Sequence, residues 1–132
     1  KVLQVTVVDI SGPTSCKYPY VQLRVGANLY KTSVKLGTQT LQWHESTGIS
    51  VQTAVLADGT VVPVEALNVE IRDLDDNSPK TIQPAHVNLG NLRPGIPELV
   101  QVDTGNGCVS LMLEAVGFGH MEGLPDPVPR SQ

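Results

Sequence analysis

Residues 67–75 read Leu-Asn-Val-Glu-Ile-Arg-Asp-Leu-Asp, a stretch in which hydrophobic and polar residues alternate. Leu67, Val69 and Ile71 share one side of this pattern, which has the period of a β-strand with one buried face. The strand should end at Asp73, because residues 74–80 form a polar, acidic segment with the Asn, Ser and Pro residues that favour loops. The stretch therefore predicts a half-buried strand followed by an acidic loop.

The same period of two recurs on both sides of this strand, in segments rich in Val and Thr that suit a pleated surface better than a helix. Turns with Gly, Asn, Asp and Pro separate the segments. The predicted strands are 1–10, 20–25, 29–35, 41–55, 61–64, 67–73, 85–89, 98–103 and 109–116, of which 61–64 is an edge or irregular piece because it contains Pro63. About eight short strands and no helical stretch predict an all-β fold, an eight-stranded antiparallel β-sandwich.

The size and composition of the chain fit one folded domain. Its 132 residues are too few for two full cores, and 40% of them are hydrophobic. We expect residues 1–116 to form the domain, and the Gly- and Pro-containing segment 117–132 to be an extended or disordered linker. The chain is therefore interpreted as one module of a larger protein.

The formal net charge is −4, which argues against general binding to nucleic acid, and no apolar run is long enough to span a bilayer. The charge is unevenly distributed, since residues 1–35 contain five Lys and Arg residues and one acidic residue, Asp9. An anionic partner should therefore meet the N-terminal third. Two cysteines, Cys16 and Cys108, are too few for a disulfide-built scaffold, although one bridge between them is compatible with the sequence. A cytoplasmic location is favoured, with peripheral attachment to a membrane as an option.

The order of four motifs resembles that of C2 domains, β-sandwich modules that bring many signalling and trafficking proteins to membranes. The motifs are Leu3-x-Val5-x-Val7-x-x-Ile10, Lys17-Tyr18-Pro19-Tyr20-Val21, Lys31-Thr32 followed by Trp43-His44-Glu45, and Leu67-x-Val69-x-Ile71-x-Asp73-x-Asp75. Because a strand at 109–116 closes the domain, the resemblance is to the second topology of the family. Trp43 is predicted to be a buried packing residue.

Calcium-binding members of the family hold the ion with about five aspartates from two loops, and Asp73 and Asp75 match two of these positions, with Asp76 nearby. The other loop has no acidic residue, and Tyr18 replaces the aspartate of its signature. The acidic loop is short, and Lys80 or Thr81 lies near where its later aspartate is expected. The resemblance thus implies degenerate calcium loops, and the prediction is a chain without a cofactor, whose Asp73, Asp75 and Asp76 bind calcium weakly at best.

Arg24, Lys31 and Lys35 are the candidate binding residues for a phospholipid or a partner protein. They lie in two neighbouring predicted strands, and the even spacing of Lys31 and Lys35 predicts that these two face the same side of the sheet. In the resembled family this face can bind phosphoinositide headgroups or acidic partners. The bland alternative is an ordinary solvated sheet face.

No catalytic motif is present. Cys16, His44, His86 and His120 are the candidate nucleophiles and bases, and they show neither catalytic nor zinc-ligand spacing. The leading hypothesis is therefore a non-catalytic, calcium-independent C2-like module that docks its parent protein to a protein partner or an anionic membrane lipid. The alternatives are a weakly calcium-dependent phospholipid-binding C2 domain and an immunoglobulin-like adhesion domain, which would contain a bridge between Cys16 and Cys108.

Overall fold

A computed structural model of the chain describes residues 1–12, 14–37, 40–75, 78–79 and 85–119. Within these residues the elements are strands, apart from one short 3-10 helix at Leu89–Asn91. The strands are β1 (Val2–Ser11), β2 (Pro19–Val25), β3 (Asn28–Lys31), β4 (Gln42–Ser50), β5 (Thr53–Val55), β6 (Val61–Pro63), β7 (Leu67–Asp73), β8 (Ser78–Pro79), β9 (His86–Val87), β10 (Glu98–Asp103) and β11 (Cys108–Val116). No helix in this described part is long and apolar enough to cross a membrane.

Two sheets pack against each other. The first, the four-stranded sheet, has the strand order β10-β11-β1-β4, and the second, the five-stranded sheet, has the order β3-β2-β7-β8, with β9 also paired to β7. Strands β5 and β6 form a separate hairpin, and all of these strand pairs are antiparallel. The predicted all-β antiparallel sandwich is therefore confirmed.

The core lies between the two sheets, and the alternation seen in the sequence selects its residues. The fully buried side chains that alternate along four central strands are Leu3, Val5 and Val7 of β1, Val21 and Leu23 of β2, Leu67, Val69 and Ile71 of β7, and Val109, Leu111 and Leu113 of β11. Burial of one such side chain contributes roughly 1.5 to 3 kcal/mol. The period of two thus places one apolar row per strand in a shared core.

Strand boundaries differ from the sequence prediction in two places. The predicted strand 41–55 is two strands in different sheets, because β4 ends at Ser50 and the chain then turns into the β5–β6 hairpin. The apolar alternation continues through the turn, but Val55 is 70% exposed, so the pattern does not reveal the break. Strand β3 ends at Lys31 instead of Lys35. The side-chain hydroxyl of Thr32, rather than its carbonyl, accepts the Val21 backbone N–H at 2.9 Å, which interrupts the regular ladder.

The packed region extends beyond Val116. The sequence analysis assigns Phe118 to the linker, but its side chain is only 2% exposed and belongs to the core cluster. The Gly119 N–H donates to the Val61 carbonyl at 3.0 Å and ties this segment to the β5–β6 hairpin. The remainder of the predicted linker, 120–132, lies outside the described residues.

The connections at the end of the sandwich where β1 ends position the candidate site. We call the segments 14–18, 32–37, 73–75 and 104–107 the loop end. Backbone hydrogen bonds join three of them, since the Gly37 N–H donates to the Lys17 carbonyl at 2.8 Å and the Leu74 N–H to the Tyr18 carbonyl at 3.0 Å. The fourth is joined by the Asn106 side-chain oxygen, which accepts the Ser15 N–H at 2.9 Å.

Candidate functional site

Asp73 is a buried carboxylate that organises the loop end. Its Oδ2 accepts the backbone N–H of Lys17 at 3.0 Å. Its Oδ1 accepts the N–H of Tyr18 at 3.0 Å and the N–H of Asp75 at 3.1 Å. Both oxygens therefore hold backbone amides of two loops, and hydrogen bonds to a charged acceptor are the stronger kind.

The predicted metal residues do not form a common ligand set in the described part of the chain. Asp73 is 6% exposed and is committed to backbone amides, whereas Asp75 is exposed to solvent. Asp76 lies outside the described residues, as do Lys80 and Thr81. Among the residues described, no group of three or more His, Cys, Asp or Glu side chains is placed to hold a metal ion. A calcium ion needs six to eight oxygen ligands, so the donors at Asp73 and Asp75 do not fit it.

Arg24 and Lys31 lie on one face of the five-stranded sheet. The register pairs Lys31 with Gln22 and Gln22 with Glu70, so these side chains share the outer face, and Arg24 lies two residues along β2 from Gln22. Because side chains two apart in a strand point the same way, Arg24 joins them. The structure thus brings together two of the three predicted cationic residues.

Arg72 is a third cation on this face, and the sequence analysis missed it. It pairs with Tyr20 of β2, and its Nη1 lies 3.5 Å from Glu70 Oε1. We call Arg24, Lys31 and Arg72 the basic face. Among the described outward residues of β2, β3 and β7, these three cations face one carboxylate, that of Glu70. Alternation along β7 already places Arg72 opposite the buried row, but only the pairing of β7 with β2 brings it to Arg24.

Lys35 lies away from the basic face, at the edge where the two sheets approach each other. The prediction that Lys31 and Lys35 share one sheet face is wrong, because β3 ends at Lys31. The Lys35 N–H donates to the Pro19 carbonyl at 3.0 Å, and its Nζ lies 5.8 Å from the centroid of the Trp43 ring. This cation therefore packs against an aromatic face.

Trp43 and Glu45 of β4 close this edge against β3. Trp43 is 7% exposed, as predicted for a packing residue, and its Nε1 donates to the Ser33 carbonyl at 2.7 Å. Glu45 Oε1 accepts the Ser33 N–H at 3.1 Å and the Tyr30 hydroxyl at 3.2 Å, and Glu45 Oε2 accepts the Ser33 hydroxyl. We call Tyr30, Ser33, Trp43 and Glu45 the edge network.

Burial alters the acidity of the two titrating groups in the edge network. Burial, together with the hydrogen bond and the charge of Glu45, raises the pKa of Tyr30. Burial alone would also raise the pKa of Glu45, but the hydrogen bonds from Ser33 and Tyr30 and the charge of Lys35 outweigh it and lower that pKa. Glu45 is therefore held as a carboxylate that joins the two sheets.

The candidate catalytic residues are dispersed. Cys16 is buried in the loop end, His44 is exposed on β4, and His86 is exposed on β9 of the other sheet. His120 lies outside the described residues. Cys16 and Cys108 are both free thiols, so the bridge that the immunoglobulin-like alternative requires is not formed.

Comparison with known proteins identifies the fold. The sequence matches no protein-family model and no curated protein. A C2 domain-containing protein from a putative elicitor-responsive gene is similar in structure, with a TM-score of 0.60 and 21% identity over 93% of this chain and 93% of that one.

A structure of two C2 domains of Extended-Synaptotagmin 2 is also similar, with a TM-score of 0.58 and 16% identity, and this chain covers 39% of that longer one. The calcium-bound form of the same two domains gives a TM-score of 0.54 at 20% identity, over 86% of this chain and 44% of that one. At these identities the similarity establishes architecture. The chain has the β-sandwich fold of C2 domains.

Proposed function

We propose that this chain is a non-catalytic, calcium-independent C2-like module that docks its parent protein on an anionic membrane surface. The observation that carries the proposal is the basic face, on which Arg24, Lys31 and Arg72 outnumber the single carboxylate of Glu70. The net charge of the whole chain is −4, so this cationic surface runs against the overall balance. Anionic lipids attract such a surface with about 1 kcal/mol for each nearby Lys or Arg.

Calcium independence is supported by the environment of Asp73. Its two oxygens already accept three backbone N–H groups, which fixes the loop end without a metal ion. This arrangement favours the calcium-independent reading over weakly calcium-dependent phospholipid binding. The calcium-bound neighbour, Extended-Synaptotagmin 2, shares only 20% identity with this chain, so its ion does not carry over by itself.

The non-catalytic role and the cytoplasmic location are parts of the same proposal. The dispersal of Cys16, His44 and His86 favours a binding module over an enzyme, because nucleophilic catalysis needs a base within hydrogen-bond reach. Free thiols at Cys16 and Cys108 are typical of a reducing compartment. Such a module would attach peripherally to the cytoplasmic side of a membrane.

Vesicle binding tests the proposal directly. The chain should cosediment with phosphatidylcholine vesicles that contain phosphatidylserine, in chelator and at low salt, and binding should weaken toward physiological salt because the charges are screened. Lys31→Gln should weaken binding about fivefold, as expected for one cation near an anionic surface. Lys1→Gln is the matched control, since it removes one exposed cation from outside the basic face, and it should change binding less than twofold.

Two outcomes would overturn the proposal. If the wild-type chain ignores anionic vesicles even at low salt, membrane docking is wrong and an acidic protein partner becomes the better hypothesis. If binding requires added calcium, the calcium-independent mechanism is wrong.

A further inference from the structure

Strand β10 leaves one of its edges without a neighbouring strand. It ends the four-stranded sheet and pairs only with β11. In the described part of the chain, no backbone hydrogen bond from another segment reaches the other edge of residues 98–102. An edge strand of this kind presents a row of N–H and C=O groups that can pair with another extended chain.

A groove lies beside this open edge, between β10 and the end of the five-stranded sheet. Its volume is about 460 Å³, and β9, the segment after it and β10 line it. Val87, Leu92, Val100 and Val102 supply apolar surface, and all four belong to the core or pack against it. The groove thus continues the hydrophobic core to the surface, next to unpaired backbone groups.

The charged side chains of the groove, among the lining residues described, are carboxylates at the two ends of β10. Glu98 is bonded to Arg93, whose Nε lies 3.5 Å from Glu98 Oε2. Asp103 lies about 17 Å along the strand from Glu98, at roughly 3.4 Å per residue. Its Oδ1 accepts the Gly105 N–H at 2.8 Å. Because Arg93 offsets Glu98, the Asp103 end is the more negative.

We propose that β10 binds an extended peptide segment of a partner protein, which adds to the four-stranded sheet as a fifth strand. Along β10, Val100 and Val102 face the groove, whereas Leu99, at 59% exposed, and Gln101 face solvent. Every second side chain of an added strand would therefore enter the groove, which selects a segment with alternating apolar residues. The Asp103 carboxylate selects a Lys or Arg at the adjoining end of that segment.

The acidic ends of β10 favour a basic partner over a second copy of this chain. In an antiparallel pairing of β10 with itself, Asp103 of one copy would lie within one residue of the position opposite Glu98 of the other. Like charges so close across a strand pair are destabilising. The proposed site also differs from the basic face, which lies on the other sheet and has the opposite charge.

The probe is the blocked peptide acetyl-Lys-Val-Thr-Val-Thr-Val-Lys-amide, titrated into the ¹⁵N-labelled chain. We expect saturable chemical-shift changes at 98–103 and 86–87, with an affinity in the weak range typical of small interfaces, about 0.1 to 1 mM. A peptide with Glu in place of both Lys residues should bind at least about tenfold more weakly, because its charges repel Asp103.

Asp103→Asn should weaken binding of the Lys peptide about threefold to fivefold, since Asn loses the charge but keeps an oxygen to accept the Gly105 N–H. Glu114→Gln is the matched control, because Glu114 lies on β11 of the same sheet but does not line the groove, and it should leave binding unchanged. The proposal is overturned if millimolar Lys peptide leaves the shifts of 98–103 unchanged. It is equally overturned if N-methylation of alternate peptide amides, on either register, leaves binding intact, because strand addition requires those N–H groups.

Discussion

Asp73 illustrates how one residue in a recognisable motif can serve structure instead of ligand binding. A carboxylate just after a strand can hold a cation or accept backbone N–H groups, and the local sequence is the same in both cases. The decision rests with Lys17 and Tyr18, which are distant in the chain and whose amides point at the carboxylate. Sequence analysis therefore located the residue correctly but could not assign its partners.

Replacing Asp73 should destabilise the domain. In Asp73→Ala, three backbone N–H groups lose their charged acceptor, and we expect a loss of about 2 to 4 kcal/mol in the free energy of unfolding, measured by urea melts. Asp75→Asn is the control, since its side chain is exposed and its change should stay within about 0.5 kcal/mol. Equal effects of the two substitutions would contradict the structural role of Asp73.

At the scale of elements, the edge network joins one strand of each sheet. Tyr30 belongs to β3 and Glu45 to β4, and these strands lie at the ends of their respective sheets. The hydrogen bonds to Glu45 therefore link the layers at a place where no backbone ladder connects them. Since the network favours the ionised carboxylate, its contribution should depend on pH.

The stability contributed by Glu45 should be lost in acid. Because its pKa lies below the ordinary value of 4.5 in the folded protein, the contribution is present above that value and disappears as the pH falls through the lower, folded pKa. At pH 7, Glu45→Gln should cost about 1 kcal/mol. The difference between the variant and the wild type, from urea melts between pH 7 and pH 3, should shrink toward acid. A difference that stays constant over this range would show that ionisation of Glu45 is irrelevant.

Sequence patterns predicted the strands well and their ends poorly, for reasons that two elements make clear. The alternation that defines β4 runs on into β5, but the change of sheet at Ser50 depends on where the hairpin can pack, which no local pattern encodes. In β3, the hydroxyl of Thr32 substitutes for a backbone acceptor and ends the ladder at Lys31. That single contact moves Lys35 from the predicted basic surface to Trp43.

At the scale of the whole molecule, the order of motifs carried the fold, because buried rows on β1, β2, β7 and β11 can share one core only if the strands form two facing layers. The candidate surfaces were less predictable. Arg72 joins Arg24 through the pairing of β7 with β2, and the open edge of β10 follows from the strand order. Both depend on which strands are neighbours, and an alternating sequence does not specify neighbours.

Calcium provides a test that reads the stability of the whole domain. A ligand at 100 times its dissociation constant would stabilise the folded state by about 2.7 kcal/mol, which raises the Tm of a domain of this size by several degrees. The described carboxylates of the acidic loop are Asp73, which is bonded to backbone amides, and Asp75. Calcium at about 1 mM should therefore leave the Tm within about one degree of its value in chelator, because a site this poor in ligands stays far from saturation. Magnesium at the same concentration is the control for ionic strength. If calcium alone raises the Tm by several degrees and Asp75→Asn abolishes the rise, the acidic loop binds the ion and the weakly calcium-dependent alternative becomes the better account of this chain.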